Sequence, residues 1–159
     1  MKYVGVDPGL HGAICFMDSF GGVKVHDLPV ITDGKLKWID GSMLGSLFMD
    51  HENMPNGFRN EKLAVVERVH AMPKQGVSSS FNFGVGFGSI LSVLQVHGVP
   101  IEFVQPSVWK KALGLSQDKK ASLHKARLLY PDAPLELEKH EGRAEAILIA
   151  HYARTARGR

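Results

Sequence analysis

Two carboxylates end apolar segments of the sequence. Asp7 follows the run 3–6, and Glu67 follows the run 63–66. Uncharged runs of this length are typical of central strands that are covered on both faces. If the two strands are parallel neighbours, both acids lie side by side at the carboxyl edge of the sheet, where open α/β sheets bind ligands. Carboxylate oxygens gathered at that edge would suit a hard divalent cation.

A third acid, Glu145, lies on the apolar side of the last predicted helix. Ile149 and Tyr152 follow it by four and seven residues, so the three side chains share one helix face. An acid on such a face is costly unless it is paired or binds a cation. Glu141, one turn earlier, lies on the same side if the helix already begins there. Three or four oxygen ligands, with Cys15 as the single cysteine, favour Mg²⁺ or Mn²⁺ over zinc.

Each acid also has a simpler explanation when it is taken alone. Asp7 precedes Pro and Gly, and Asp in that position commonly bonds its own backbone in a turn. Glu67 could pair with a basic residue, and Glu141 could be a solvated acid favoured by the helix dipole. His140 is either a ligand or base of the site or a partly exposed histidine at a helix cap. Because the acids are predicted to lie close together, a shared metal site explains them better than separate, unrelated roles do.

The composition is that of an ordinary globular domain. The chain has 159 residues, of which 44% are hydrophobic and 22% charged, and a formal net charge of +3. This length predicts a single domain over 1–159. We expect no membrane-spanning segment and no signal peptide. With one cysteine and no disulfide framework, a reducing cytoplasm is the expected compartment.

The pattern of apolar residues predicts a mixed α/β sheet flanked by helices. The predicted strands cover 2–7, 11–17, 23–28, 63–67 and 101–104. Asp40 is predicted to cap a short helix, and four further helices are predicted over 79–97, 106–111, 118–130 and 142–156. The first three strands form an antiparallel meander, and helices separate the last two.

The predicted helix 79–97 carries glycines that destabilise a helix interior by about 1 kcal/mol each relative to alanine. One stripe along it is smooth and consists of Gly84, Gly88 and Ser92. A second stripe is bulky and consists of Phe83, Phe87, Ile90 and Leu94. One stripe is expected to cover the sheet and the other to meet a partner. Further along, Trp109 is expected to anchor the core, with Lys110 and Lys111 as exposed charges beside it.

Five segments of the sequence resemble one family of nucleases. They are YVGVDPG at the first strand, VVERVHAMP at the fourth, VQPSVWKKALGL after the fifth, DKKASLHKARLLYP, and KHEGRAEAILIAHY at the last helix. In this order they resemble the RuvC-like Holliday-junction resolvases of the RNase H-like superfamily, especially the small forms of bacteriophages. The resemblance implies an RNase H-like fold with a five-stranded mixed sheet flanked by helices. It also implies location in a bacterial cytoplasm and, by its likeness to the small forms, a gene carried by a phage.

The resemblance makes Asp7, Glu67 and Glu145 metal ligands and catalytic residues. The fourth ligand of the family usually lies three residues before the last one, where this chain has Gly142. Glu141 is therefore the expected fourth ligand, with His140 as the second choice. The implied cofactor is a pair of Mg²⁺ ions about 3.5–4 Å apart, for which Mn²⁺ can substitute, and the implied reaction is phosphodiester hydrolysis.

The implied substrate is a four-way or related branched DNA junction, and the implied assembly is a homodimer through the helix near 79–97. Candidate DNA contacts on phosphates are Lys74, Lys119, Lys120 and Arg143, each of which could instead be solvated surface. Met72 is either a wedge between bases or part of the core. Two other functions remain alternatives. One is a non-catalytic junction-binding protein of the same fold. The other is an actin-like phosphotransferase fragment, although 159 residues are too few for the second lobe of that fold.

Overall fold

A computed structural model describes residues 1–53, 61–69 and 76–157. Within these ranges a five-stranded sheet has the order β3-β2-β1-β6-β7, and β4 and β5 form a separate two-stranded sheet. The strands are β1 Lys2–Asp7, β2 Ala13–Met17, β3 Val23–Asp27, β4 Val30–Asp33, β5 Leu36–Ile39, β6 Lys62–Glu67 and β7 Ile101–Val104. The helices are α1 Gly41–Asn53, α2 Val77–Val96, α3 Pro106–Ala112, α4 Lys119–Leu129 and α5 Glu141–Arg157, with a 3₁₀ turn at Glu138–His140.

Strand β1 lies at the centre of the large sheet. It pairs antiparallel with β2 and parallel with β6, with Val6 opposite Val66. Strand β6 in turn pairs parallel with β7. The predicted mixed five-stranded sheet flanked by helices is thereby confirmed, as is the parallel pairing that brings Asp7 beside Glu67.

Two hydrophobic cores cover the two faces of this sheet. One core packs the face that carries Tyr3, Leu63 and Val65 against α5, together with Trp109 and Leu123 from the shorter helices. The other core packs the opposite face against α1, β5 and α2. Because side chains alternate along a strand, Asp7 lies on the same face as Tyr3, which is the face covered by α5.

Helix α5 packs directly on the backbone of β1. A Cβ added at Gly5 would overlap the carbonyl oxygen of Ala146 and lie 2.5 Å from the amide nitrogen of Ala150. Only glycine fits this close approach. Since Ala146 follows Glu145 directly, the contact holds that acid over the carboxyl end of β1.

The hairpin of β4 and β5 is the element that the sequence prediction missed. Thr32 pairs with Lys37 in a ladder of only four residues per strand. Polar and charged residues interrupt its apolar pattern, so the segment reads as a loop before α1. The remaining predicted elements are present, although β2 begins at Ala13 rather than at residue 11.

Helix α2 is long and mostly exposed. An 18-residue window within it has a mean hydropathy of 1.4, and only 22% of that window is buried. By length and composition alone such a helix could cross a membrane, a property that it shares with core helices of soluble proteins. Ile90 and Leu94 pack against the sheet and bury one side of the helix.

We expect Gly5→Ala to lower the free energy of unfolding by about 1–3 kcal/mol, because the added methyl group must push α5 away from β1. Urea denaturation monitored by circular dichroism measures this change. Gly41→Ala is the matched control, since its Cβ would make an ordinary contact at 3.8 Å with Val93. Equal stability of the two variants would contradict the close contact between α5 and β1.

Candidate metal centre

Three carboxylates from three elements converge at one end of the sheet. Asp7 ends β1, Glu67 ends β6, and Glu145 projects from the first turns of α5. One ligand oxygen from each lies within 4.8 Å of the other two. The three residues are 6%, 9% and 1% exposed, respectively. Like charges held this close in a buried place repel one another, so the group requires protons, ammonium groups or a metal ion to neutralise it.

Two lysines supply part of that neutralising charge. The Nζ atom of Lys110 lies 2.8 Å from Oε1 of Glu145, and the Nζ atom of Lys119 lies 3.2 Å from Oε2. The Lys110 side chain is 5% exposed, whereas that of Lys119 is 53% exposed. Lys110 is therefore a fixed partner of the acid. Lys119 is the more accessible of the two partners.

Two further donors orient the glutamates. The indole N–H of Trp109 donates to Oε1 of Glu67 at 2.9 Å, and Trp109 itself is fully buried. The hydroxyl group of Ser122 donates to Oε1 of Glu145 at 3.3 Å. Each donor engages a single oxygen of its glutamate. At Glu67 the other oxygen remains available as a metal ligand.

Burial changes the protonation of the group. It raises the pKa of Asp7 from 3.8 to about 8, with Lys119 opposing this shift and Glu145 and Glu67 adding to it. Burial also raises the pKa of Glu67, against the N–H of Trp109. The pKa of Lys119 is raised as well: burial alone would lower it, but the charges of Asp7 and Glu145 outweigh that effect. Near neutral pH the metal-free site therefore holds a proton on Asp7.

Comparison with solved structures identifies the fold. A structure of T. thermophilus RuvC in complex with a Holliday junction substrate superposes with a TM-score of 0.62 and 20% sequence identity, over 99% of this chain and 96% of that one. A second T. thermophilus RuvC structure gives a TM-score of 0.59 and 22% identity, over 98% and 97% of the two chains. No protein-family model and no curated protein sequence matches the chain. The chain has a RuvC-like fold.

In this RuvC-like fold, position 142 has no space for a side chain. A Cβ on Gly142 would overlap the carbonyl oxygen of His11 and lie 3.2 Å from Cα of Gly12. The turn between β1 and β2 thus occupies the place from which the resemblance expects a fourth ligand. A glycine at this position lets the beginning of α5 close onto that turn.

The two substitutes for that ligand lie apart from the three converging acids. Glu141 is the first residue of α5, and its carboxylate is not part of the metal-ligating group found among residues 1–53, 61–69 and 76–157. The ring of His140 is buried, with Nδ1 3.8 Å from a carboxylate oxygen of Glu136. Burial lowers the pKa of this imidazole. The assignment of a fourth ligand stays a prediction.

The residues predicted to contact DNA differ in their exposure and in their partners. Lys119 lies in the acidic site, as described above, and Lys120 is exposed beside it on α4. Arg143 forms two hydrogen bonds with the carboxylate of Asp27, at 2.6 and 2.7 Å. That pair ties α5 to the end of β3 and already occupies the guanidinium group. The candidates Met72 and Lys74 lie outside the described residues.

Lys110 and Ser122 are site residues that the sequence reasoning missed. The expectation that Lys110 is an exposed charge beside Trp109 was wrong, since Lys110 is buried. A signal was present, because residues 106, 109, 110 and 113 follow the spacing of one helix face. Similarly, Lys119 and Ser122 share a face of α4 with the buried Leu123 and Ala126. A polar residue on such a core-facing stripe points to a buried partner.

We expect Asp7→Asn to alter how the stability of the metal-free protein depends on pH. An acid whose pKa is raised on folding holds a proton that the unfolded chain has lost, so its contribution to stability falls as the pH rises from about 4 to 8. Asparagine cannot ionise and removes this decline. Relative to the wild type, the variant should therefore gain stability between pH 5 and pH 8.

Urea unfolding in EDTA at several pH values measures this difference. Asp18→Asn is the matched control, because Asp18 makes turn hydrogen bonds to the backbone of Phe20 and Gly22, outside the acidic site. Parallel pH profiles for the wild type and Asp7→Asn would contradict a buried, protonated Asp7.

Proposed function

We propose that the protein is a metal-dependent endonuclease that cuts four-way and related branched DNA junctions. The observation that carries this proposal is the convergence of Asp7, Glu67 and Glu145 at the carboxyl edge of a RuvC-like sheet. One of the similar structures is a RuvC bound to a Holliday junction substrate. Both similar structures cover nearly the whole chain, so the likeness extends to the strands and the helix that position the acids.

The donor set suits Mg²⁺ or Mn²⁺. All three side chains are carboxylates, which are the hard oxygen ligands that these ions prefer. If all five side chains are ionised, the three carboxylates outnumber the two ammonium groups of Lys110 and Lys119. A divalent cation would replace the proton on Asp7 and compensate the remaining negative charge. When bound, such ions supply the Lewis acid that activates water and stabilises the leaving oxygen of a phosphodiester.

The protein side chains hold and adjust this centre. Trp109 and Lys110 each fix one oxygen of a glutamate and so reduce the motion of the ligands. Lys119 can release Oε2 of Glu145 when a cation binds there. Its ammonium group would then be free to contact the negatively charged phosphate. The proposed mechanism needs no serine, cysteine or tyrosine nucleophile.

We expect a folded Asp7→Asn protein to bind a labelled four-way junction without cutting it in Mg²⁺. The substitution removes a metal ligand, but Asp7 already holds a proton in the metal-free site, so asparagine adds no repulsion towards DNA and binding should persist. Cleavage is measured on denaturing gels beside duplex and Y-shaped DNA, and binding by gel shift in Ca²⁺. Asp18→Asn should cut like the wild type. Cleavage by Asp7→Asn within about threefold of the wild type would contradict the mechanism.

A wild-type protein that binds the junction but never cuts it would instead support the alternative of a non-catalytic binding protein. Equal cutting of duplex and junction would support a less selective nuclease.

The proposed active form is a homodimer through the outer face of α2. We define this outer face by residues that follow one another at helical spacing: Val77, Phe81, Val85, Gly88, Ser92 and Val96. Its large apolar side chains are exposed, and a Cβ at Gly84 or Gly88 would have no neighbour within 4 Å. An apolar helix face of this length favours contact with another protein surface. A two-fold dimer would place two sites on a symmetric junction.

We expect Gly88→Leu to break this dimer and leave the monomer folded. Leucine stabilises a helix more than glycine does. In the monomer, the open space around Gly88 has room for its side chain. In a close dimer contact the same side chain would overfill the interface. Light scattering at micromolar concentration should show a dimer for the wild type and a monomer for the variant. Ala112→Leu, on the exposed end of α3, is the control. A monomeric wild type, also with DNA bound, would exclude the dimer.

A further inference from the structure

Asp7 of the acidic site lines a cleft that the β4–β5 hairpin helps to form. The cleft has a volume of about 640 Å³. Asp7, the following turn 8–12 and Lys119 contribute to its lining, and so do the hairpin and the first half of α2. A volume in the range of about 300–1,000 Å³ is typical of clefts that hold small ligands. The cleft therefore has room for a nucleotide beside Asp7.

The hairpin is anchored where it lines this cleft. Ile39 is buried, and a Cβ on Gly86 would lie only 3.3 Å from Cγ1 of Ile39. Glycine at this position lets β5 approach the backbone of α2. At the base of the hairpin, the amide of Asp40 donates to the carbonyl oxygen of Pro29 at 2.8 Å. The position of the hairpin is thus set by packing, although its tip is exposed.

Two lysines of the hairpin lie at the cleft. Side chains alternate along a strand, so Lys37 points to the same side of β5 as Ile39. Lys35 lies in the turn just before β5, and both lysines line the cleft. In the part of the chain that the structure describes, neither lysine forms an ion pair. The hairpin acids Asp33 and Asp40 do not line the cleft. This wall therefore presents uncompensated positive charge.

Helix α2 forms the other wall of the cleft. Asn82 is an exposed amide at the cleft, and Phe83 offers a half-buried aromatic ring. Grooves that bind single-stranded nucleic acid combine positive charge for the backbone with aromatic rings for the bases. The chemistry of both walls fits a DNA strand better than it fits an uncharged ligand.

We propose that this cleft holds a single DNA strand next to the cleavage site, with Lys35 and Lys37 on its phosphates and Asn82 and Phe83 against a sugar or base. The inference rests on the proposed nuclease function, and it assigns the hairpin as a second DNA-binding element. Because the hairpin is fixed to α2, it sets where the strand enters the acidic site.

The test compares Lys35→Gln/Lys37→Gln with Lys24→Gln/Lys125→Gln, which makes the same change of charge outside the cleft lining. Affinity for a four-way junction is measured in Ca²⁺ at several salt concentrations. Each lysine contact with a single-stranded phosphate contributes about 0.7 to the slope of log K against log salt, so we expect the hairpin variant to lose about 1.4 in slope. Its affinity should fall at least tenfold at low salt, and the control should match the wild type.

A second measurement locates the strand. A photoreactive thymine analogue beside the cleavage site should crosslink to the peptide that contains residues 35–37, or to the one that contains residues 82–83. An unchanged salt slope in the hairpin variant, or crosslinks confined to other peptides, would overturn this inference. A wild-type protein that binds no branched DNA would instead refute the proposed function itself. Melting curves establish that the hairpin variant is folded.

Discussion

The direct packing of α5 on the backbone of β1 is the constraint on which the site depends. Gly5 on the strand, and the alanines Ala146 and Ala150 on the helix, allow an approach that larger residues would prevent. Because Glu145 precedes Ala146, the same contact sets how far its carboxylate reaches toward the strand ends. The stability of the core and the geometry of the acids therefore have a common origin, and neither can change alone.

This close packing brings three carboxylates together, and neighbouring groups neutralise part of their charge. The three buried acids face two ammonium groups, one buried on Lys110 and one half-exposed on Lys119. Burial keeps a proton on Asp7, which brings the metal-free group close to neutrality. A cation that displaces this proton would find ligands already assembled, so little reorganisation would accompany binding. The apolar contacts that form around the carboxylates during folding offset the repulsion between these like charges.

The sequence predicted the elements that depend on local pattern. Uncharged strands ending in Asp7 and Glu67, and an acid on the apolar face of α5, were enough to predict the sheet and the meeting of its acids. The hairpin could not be predicted, because its strands are short and its lysines resemble a solvated loop. Burial of Lys110 depends on a partner 35 residues away, and the space at Gly142 depends on a turn from the other end of the chain. Such contacts follow from the tertiary fold.

Glycine has different roles on the two sides of helix α2. Gly86 lies on the side with Phe83 and Phe87, and β5 packs closely there. Gly84 and Gly88 have open space around them. At 100° per residue, the side with Gly86 lies nearly opposite the outer face with Phe81 and Gly88. A partner on the outer face would therefore leave the cleft on the other side accessible. This separation would allow one helix both to join two subunits, as proposed, and to guide a DNA strand in each.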